Sequence, residues 1–176
     1  MPRLLRGPLL LALLAAPLVH AQSAADVDAP ESIVAAAYEA LERAPGEPFA
    51  WDRFRSLFLP DALLLPNTEQ TGGTPRVFSP EGFIAWIDDS YARNAPIGSP
   101  KDRGFAEEGV HHEVHRYGDV AQVFSTYQKR YWGDDEILGR GINSFQLVHR
   151  DGRWWIVSIV WDEESGAGPI PQAYLE

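Results

Sequence analysis

Two tight-turn dipeptides in the second half of the chain constrain its fold more than any other feature. Gly118-Asp119 and Asp151-Gly152 each stand between runs in which apolar and polar residues alternate. A two-residue turn between alternating runs predicts a β-hairpin, and its position sets which residues face each other across the strands. From Phe105 onward the sequence therefore predicts two hairpins, which together supply four long antiparallel strands.

The turns also predict the register of each hairpin. The first turn predicts three pairs: Tyr117 with Val120, Glu107 with Arg130, and Glu108 with Lys129. Opposite charges at the far end of this ladder support the pairing. The second turn predicts four pairs: Arg150 with Arg153, Leu147 with Ile156, Phe145 with Ser158, and Gly141 with Asp162.

The first half of the chain has helical periodicity instead. The stretch ESIVAAAYEALER, residues 31–43, carries apolar residues at three- and four-residue steps, and Pro45 and Gly46 end it. A second helix is predicted after Pro48. A third is predicted in SPEGFIAWIDDSY, where Ser79 can cap the helix and Pro80 fits its first position. Helices followed by a long antiparallel sheet predict an α+β fold in one domain.

The N-terminus has the organisation of a secretory signal peptide. Arg3 and Arg6 precede an apolar run over residues 9–19, and Ala21 marks a cleavage site before Gln22. The run is too short to span a bilayer. We therefore expect an exported protein, periplasmic or secreted, with no membrane association after cleavage. The predicted organisation is a signal peptide over 1–21, a linker over 22–30, one domain over 31–164 and a C-terminal tail over 165–176.

Charge and sulfur content exclude several functions. The 25 acidic residues outnumber the 15 Lys and Arg residues, for a formal net charge of -10. Nucleic acids and anionic membranes attract basic surfaces, so neither is an expected partner. The chain contains no cysteine, which excludes disulfides, thiolate nucleophiles and cysteine-ligated clusters. Because no nucleotide-binding loop, serine-triad string or zinc motif occurs, we expect no cofactor.

Four local strings carry a resemblance to a known family: WDRFRSLFLPDA (51–62), SPEGFIAW (79–86), GDVAQVFSTY (118–127) and DGRWWI (151–156). Together with the order of elements, they resemble the SnoaL-like branch of the nuclear-transport-factor-2-like superfamily. The resemblance implies a cone-shaped fold, with about three N-terminal helices packed on a curved, mostly antiparallel sheet and a pocket at the open end. Members of the superfamily include enzymes and non-catalytic binding modules, so any chemistry has to be argued from the pocket.

The resemblance also implies which side chains face the pocket. It turns Trp154 inward, and period two then sends Ile156, Ser158, Val160 and Asp162 the same way. Across the ladders it adds two further sets of inward residues. These are Leu147, Phe145, Asn143 and Gly141 in one hairpin, and Ala121, Val123, Ser125, Tyr127, Val114, His112 and Val110 in the other.

Polar residues on this otherwise apolar face are the candidate catalytic groups. His112 can serve as general acid or base, with Asp162 as an orienting carboxylate and Tyr127 as a hydrogen-bond donor to a substrate carbonyl. Alternatively, His112 is a core histidine held by a hydrogen bond, and Asp162 is an exposed carboxylate at a strand end. The predicted ligand-binding residues are Tyr38, Trp51, Phe83, Trp86, Ser125, Asn143 and Trp154.

The HHEVH cluster at residues 111–115 suggests a metal site, but strand geometry argues against one. His111 and His115 share a face at roughly 13 Å apart, at about 3.3 Å per residue. A single metal ion with nitrogen ligands at about 2 Å cannot bridge them. We therefore predict no metal.

The face of the sheet opposite the pocket also carries apolar side chains: Trp155, Val157, Ile159 and Trp161. An apolar face of this size on a monomer requires cover, and a homodimer through this face is the simplest cover. The alternative is cover by the C-terminal segment GAGPIPQAYLE.

Three functions are consistent with these features. The first, which we favour, is non-catalytic binding of a small apolar ligand in an aromatic pocket. The second is a cofactor-independent acid/base enzyme of the isomerase, lyase or hydrolase type that uses His112 and Asp162. The third is an oligomeric structural protein that acts through its apolar sheet face.

Overall fold

The computed structural model describes residues 23–67, 72 and 74–176. The predicted signal peptide over residues 1–21 lies outside the described residues. The predicted linker contributes a short 3-10 helix, Ala24–Val27, ahead of the first α-helix. Within the described part of the chain, no helix combines the length and apolar character needed to cross a membrane.

The helices begin and end where local signals place them. Helix α1 spans Pro30–Leu41, α2 spans Trp51–Ser56 and α3 spans Pro80–Asn94. Ser79 caps α3, because its hydroxyl accepts a hydrogen bond from the Gly82 backbone N–H at 3.1 Å. A short helix, α4, follows the last strand at Glu164–Ala167.

Five strands form one mostly antiparallel sheet. They are β1 (Phe58–Asn67), β2 (Ala106–Tyr117), β3 (Val120–Arg130), β4 (Gly139–Arg150) and β5 (Arg153–Glu163). Their order is β1-β5-β4-β3-β2, and β1 runs parallel to β5 while the other neighbours are antiparallel. The α+β class and the mostly antiparallel sheet agree with the sequence.

The predicted order of helices before strands is wrong, because β1 lies between α2 and α3. Pro60 and Pro66 both fall inside β1, so the sequence shows only a short apolar run there. An edge strand tolerates proline, since its N–H groups on the free side need no partner in the sheet. β1 occupies such an edge.

The core lies between the helices and one face of the sheet, called here the inner face. Buried side chains from α1, α2, α3 and the inner face form one cluster. Its largest fully buried members include Ile33, Phe54, Tyr127, Phe145 and Trp154.

A β-bulge interrupts the first hairpin. The pairs from Tyr117 with Val120 to His111 with Thr126 follow the predicted register, but the next pair is Gly109 with Tyr127. Val110 is the extra residue, and a bulge of this kind inverts the direction of every side chain beyond it. The predicted pairs of Glu107 with Arg130 and Glu108 with Lys129 are therefore wrong: Glu107 faces Lys129, and Glu108 faces Gln128.

A second bulge interrupts β5 at Val157. Ile156 pairs with Leu147 as predicted, but Ser158 pairs with Gln146, so the predicted pairs of Phe145 with Ser158 and Gly141 with Asp162 are wrong. Beyond the bulge, the inward side chains on β5 are Ile159, Trp161 and Glu163. Val160, predicted to face inward, is 44% exposed instead.

The apolar face predicted for dimerisation is divided by the same bulge. Ile159 and Trp161 turn to the inner face, where Ile159 is buried and Trp161 packs on Phe83. Elsewhere, the C-terminal tail covers part of the outer face: the Tyr174 ring lies 5.1 Å from that of Phe124, and its carbonyl accepts a hydrogen bond from the Thr126 hydroxyl.

Candidate functional site

A cavity of about 500 Å³ opens between the inner face of the sheet, helices α1 and α3, and the segment 95–105. Its volume lies within the range of small-molecule sites. The wall is mainly aromatic and aliphatic, and includes Leu41, Phe49, Phe54, Leu64, Phe83, Trp86, Ile87, Tyr91, Phe105, Tyr131, Leu138, Phe145, Ile159 and Trp161.

One polar group in the cavity wall is a buried three-residue network. The Tyr38 and Ser125 hydroxyls share a hydrogen bond of 2.6 Å, and the Asn143 side-chain amide donates to the Tyr38 hydroxyl at 3.0 Å. All three residues are buried. Burial raises the pKa of Tyr38 above its ordinary value, so the hydroxyl stays neutral.

A second polar group reaches from β3 to β5 across β4, at Gly141, which pairs with Tyr127 on one side and with Glu163 on the other. The Lys129 ammonium binds the Glu163 carboxylate at 2.5 Å, and the Tyr127 hydroxyl donates to the same carboxylate oxygen at 3.3 Å. Burial, together with the nearby Glu107 and Glu163 carboxylates, raises the pKa of Tyr127. The Glu163 carboxylate is therefore matched by one cation and one hydroxyl donor.

Glu107 lines the same cavity and makes no hydrogen bond or ion pair with any residue that the structure describes. The bulge at Val110 places it there, since an uninterrupted β2 would send its side chain to the outer face. Burial raises the pKa of Glu107 to about 7; Lys129 opposes this increase and Glu163 adds to it. A carboxyl group that titrates near neutral pH in a cavity is a candidate functional group.

A buried ion pair holds the segment 95–105 at the rim of the cavity. Both nitrogens of the Arg43 guanidinium fork donate to the Asp102 carboxylate, at 3.0 and 2.8 Å, and the two side chains are 0% and 1% exposed. The Arg43 guanidinium also lies over the rings of Phe49 and Tyr91, at 5.0 and 4.8 Å. At the rim of the cavity, the Arg43 guanidinium is therefore held in place by the Asp102 carboxylate and by the rings of Phe49 and Tyr91.

Five of the ten site residues predicted from the sequence line this cavity: Tyr38, Phe83, Trp86, Tyr127 and Asn143. Three others lie away from it. Trp51 stacks on Phe49 and donates to Asp88, Ser125 lies behind Tyr38, and Trp154 is buried beneath the Arg116 guanidinium.

The structure does not bring His112 and Asp162 into the cavity with Tyr127. The His112 ring packs beside Gly109 and Tyr38, and its Nδ1 has no hydrogen-bond partner among the described residues. Burial lowers the pKa of His112. The bulge in β5 turns Asp162 away from the cavity. Outside the cavity, the Asp162 carboxylate accepts a hydrogen bond from the Asn67 side-chain amide at 2.7 Å.

Sequence reasoning missed Glu107, Lys129 and Glu163, which the two bulges bring together. A glycine inside a strand is a recognised sign of a bulge, and Gly109 stands immediately before Val110. Val157 carries no comparable sign. Among the residues that the structure describes, no group of three or more His, Asp or Glu side chains is arranged to hold a metal ion.

Solved structures share this fold at low sequence identity. A protein of unknown function with a cystatin-like fold from Nostoc punctiforme matches with a TM-score of 0.58 and 12% identity, covering 77% of this chain and 89% of that one. A candidate aromatic ring hydroxylase from Novosphingobium aromaticivorans matches with a TM-score of 0.53 and 17% identity. The match covers 76% of this chain and 85% of that one. An NTF-2 like protein of unknown function from Silicibacter pomeroyi matches with a TM-score of 0.46 and 21% identity. The match covers 76% of this chain and 91% of that one.

The two similarities with TM-scores above 0.5 show the fold alone, an α+β fold that the description of the Nostoc protein calls cystatin-like. The α+β fold that the resemblance in the sequence implies is confirmed by these two matches. No model of a protein family matches the sequence, and no curated protein matches it. Function therefore has to be argued from the cavity.

Proposed function

We propose that the chain binds a small, largely apolar organic molecule in its aromatic cavity, and that it does so outside the cytoplasm. The observation that carries this proposal is the cavity itself, of about 500 Å³, with an aromatic wall and a few polar groups. Sites of this composition bury most of a ligand's apolar surface and use the polar groups to orient it. The signal peptide predicted from the sequence supports the expected location.

The state of the polar groups supports binding without catalysis. The Tyr38 hydroxyl already bonds to Ser125 and Asn143, and the Tyr127 hydroxyl to Glu163. A preformed network of this kind fixes the shape of the cavity. Apolar burial against the surrounding rings then supplies most of the affinity, at roughly 25 cal/mol per Å².

Thermal-shift measurements with a set of aromatic and alicyclic compounds test the proposal. We expect several compounds to raise the melting temperature. Ser90 lines the cavity from α3, so Ser90→Trp should fill part of it and weaken binding about tenfold or more. Ala85→Trp is the matched control, because Ala85 is exposed on the same helix. The proposal fails if no compound stabilises the wild-type protein. It also fails if Ser90→Trp and Ala85→Trp both bind the compounds with the affinity of the wild type.

One observation favours a second function, acid/base catalysis by Glu107 in place of His112 and Asp162. Glu107 faces the cavity with a pKa of about 7, which suits a general base near neutral pH. Exchange of the α-hydrogens of 2-tetralone in deuterium oxide, followed by NMR, tests it. Catalysed exchange should rise with pH through about 7 and disappear in Glu107→Gln. Equal rates in the two proteins would exclude this role.

A further inference from the structure

We propose that the ligand of this cavity carries a protonated amine on an aromatic or alicyclic body, and that the amine binds to the Glu107 carboxylate. This inference rests on the ligand-binding function proposed above and names its chemical class. It is based on three properties of the cavity: the charge left without a partner, the direction of the hydrogen bonds, and the aromatic wall.

The first property is an unbalanced negative charge. Three cations near the cavity are committed to other carboxylates: Lys129 to Glu163, Arg43 to Asp102, and Arg103 to Asp134. Lys101 is exposed at the rim. Glu107 is left with no direct partner among the described residues, so a bound cation would remove an unpaired charge from an apolar site.

The second property is the direction of the hydrogen bonds. Tyr127 donates its hydroxyl proton to Glu163, and Asn143 donates to Tyr38, whose hydroxyl is also shared with Ser125. The Tyr127 and Asn143 donors are used within the protein, whereas the Glu107 carboxylate is an acceptor with no hydrogen-bond partner among the residues that the structure describes, and of the hydroxyls near it only that of Tyr91 has no acceptor there. A ligand that presents N–H donors complements this arrangement, and a ligand that presents a carboxylate meets a like charge.

The third property is the aromatic wall. Trp86, Tyr91 and Phe105 line the cavity, and the faces of such rings attract cations when water is excluded. Tyr91 already takes part in one such contact, with the Arg43 guanidinium 4.8 Å from its ring centre. An amine bound at Glu107 would gain from both the carboxylate and the rings.

The charge of the free cavity depends on pH through Glu107. The groups that face it are Lys129 and Tyr127 from β3, Glu163 from β5, Tyr38 from α1 and Tyr91 from α3. The pKa values of all three tyrosines are raised, so their hydroxyls stay neutral near pH 7. Deprotonation of Glu107 between pH 6 and 8 should therefore tighten amine binding by up to about tenfold, because only the ionised form is competent.

Calorimetric titration with three compounds that share an indole-ethyl body tests this inference: tryptamine, tryptophol and indole-3-propanoate. With a charge-assisted hydrogen bond to Glu107, tryptamine should bind about 10- to 100-fold more tightly than tryptophol at pH 8. Indole-3-propanoate should bind most weakly. Glu107→Gln should remove the preference for the amine. Glu108→Gln should keep it, because Glu108 pairs with Arg130 on the outer face at 2.7 Å.

The possible failures are distinguishable. If tryptophol or indole-3-propanoate binds as tightly as tryptamine, the amine inference is overturned while ligand binding stands. If none of the three binds, the inference is again overturned, and the thermal-shift set decides whether ligand binding fails with it. If Glu107→Gln does not fold, the pH dependence of tryptamine binding to the wild type decides: affinity that does not rise from pH 6 to 8 overturns the inference.

Discussion

Breaking the buried ion pair between Arg43 and Asp102 by Asp102→Asn should destabilise the protein more than breaking any surface pair. The carboxylate is 1% exposed and accepts five hydrogen bonds. Two come from Arg43, and three come from the backbone N–H groups of Gly46, Gly98 and Gly104. In one orientation the asparagine NH₂ faces three of these donors, and in the other it faces two. Either orientation sets donor against donor and leaves a buried guanidinium uncompensated.

Removing one partner of a buried ion pair costs about 3 to 5 kcal/mol. In a chain of this size each kcal/mol lowers the melting temperature by about 2 to 4 °C, so we expect a decrease between about 6 and 20 °C. Asp89→Asn is the control, since its pair with Arg93 lies on α3 with both side chains about 60% exposed. It should cost no more than about 0.5 kcal/mol. Urea unfolding and thermal melts of the two variants and the wild type provide the comparison.

The same pair predicts a pH dependence. Hydrogen bonds from Arg43, then those from the backbone of Gly46, Gly104 and Gly98, hold the pKa of Asp102 well below its ordinary value, against the opposing effect of burial. The unfolded chain therefore takes up this proton first as the pH falls, and the stabilisation is complete above about pH 4 and decreases below it. The difference between wild type and Asp102→Asn should shrink from pH 5 towards pH 2. A variant within about 1 kcal/mol of the wild type at pH 7 would refute this account of the rim.

Two further predictions concern the first bulge and the carboxylate that it positions. The folded pKa of Glu107, about 7, lies above its ordinary value, so the contribution of this group to native stability should fall as the pH rises from about 4 to 7. Glu107→Gln should therefore be more stable than the wild type at pH 8, by about 1 to 3 kcal/mol, and equal to it near pH 4; equal stability at both pH values in urea unfolding would contradict the burial of this charge. Gly109→Ala should destabilise the protein by about 1 to 3 kcal/mol, because a Cβ there would lie 2.3 Å from the His112 ring. Gly166→Ala is the control, because its new Cβ would lie 3.7 Å from the Asp162 carboxylate, an ordinary contact. A similar melting temperature for the two variants would contradict the close packing of the His112 ring on Gly109.

The turns and helix starts could be predicted from the sequence because they depend on local chemistry. Asp151 and Gly152 both have positive φ, 56° and 77°, as the predicted two-residue turn requires. Ser79 caps its helix through its own hydroxyl. β1 was missed because its stability comes from pairing with β5, a contact between segments that are distant in sequence.

The site could not be predicted to the same depth, and the reason is specific to strands. Side chains alternate with a period of two, so a single extra residue exchanges the two faces for the rest of the strand. The predicted register is correct near each turn and wrong beyond each bulge. Trp154 and Ile156, before the bulge in β5, face inward as expected, whereas Asp162, after it, does not.

The bulges also explain why the chemistry of the cavity differs from that predicted. Without the extra residue in β2, Glu107 would take the outer-face position that Glu108 holds, where Arg130 and Gln128 supply cationic and neutral donors, and Glu108 would turn inward. With it, Glu107 enters a cavity where Lys129 is already bound to Glu163. A carboxylate with no partner among the described residues costs stability in an aromatic cavity, and local costs of this kind are typical of functional sites, where a bound partner can offset them.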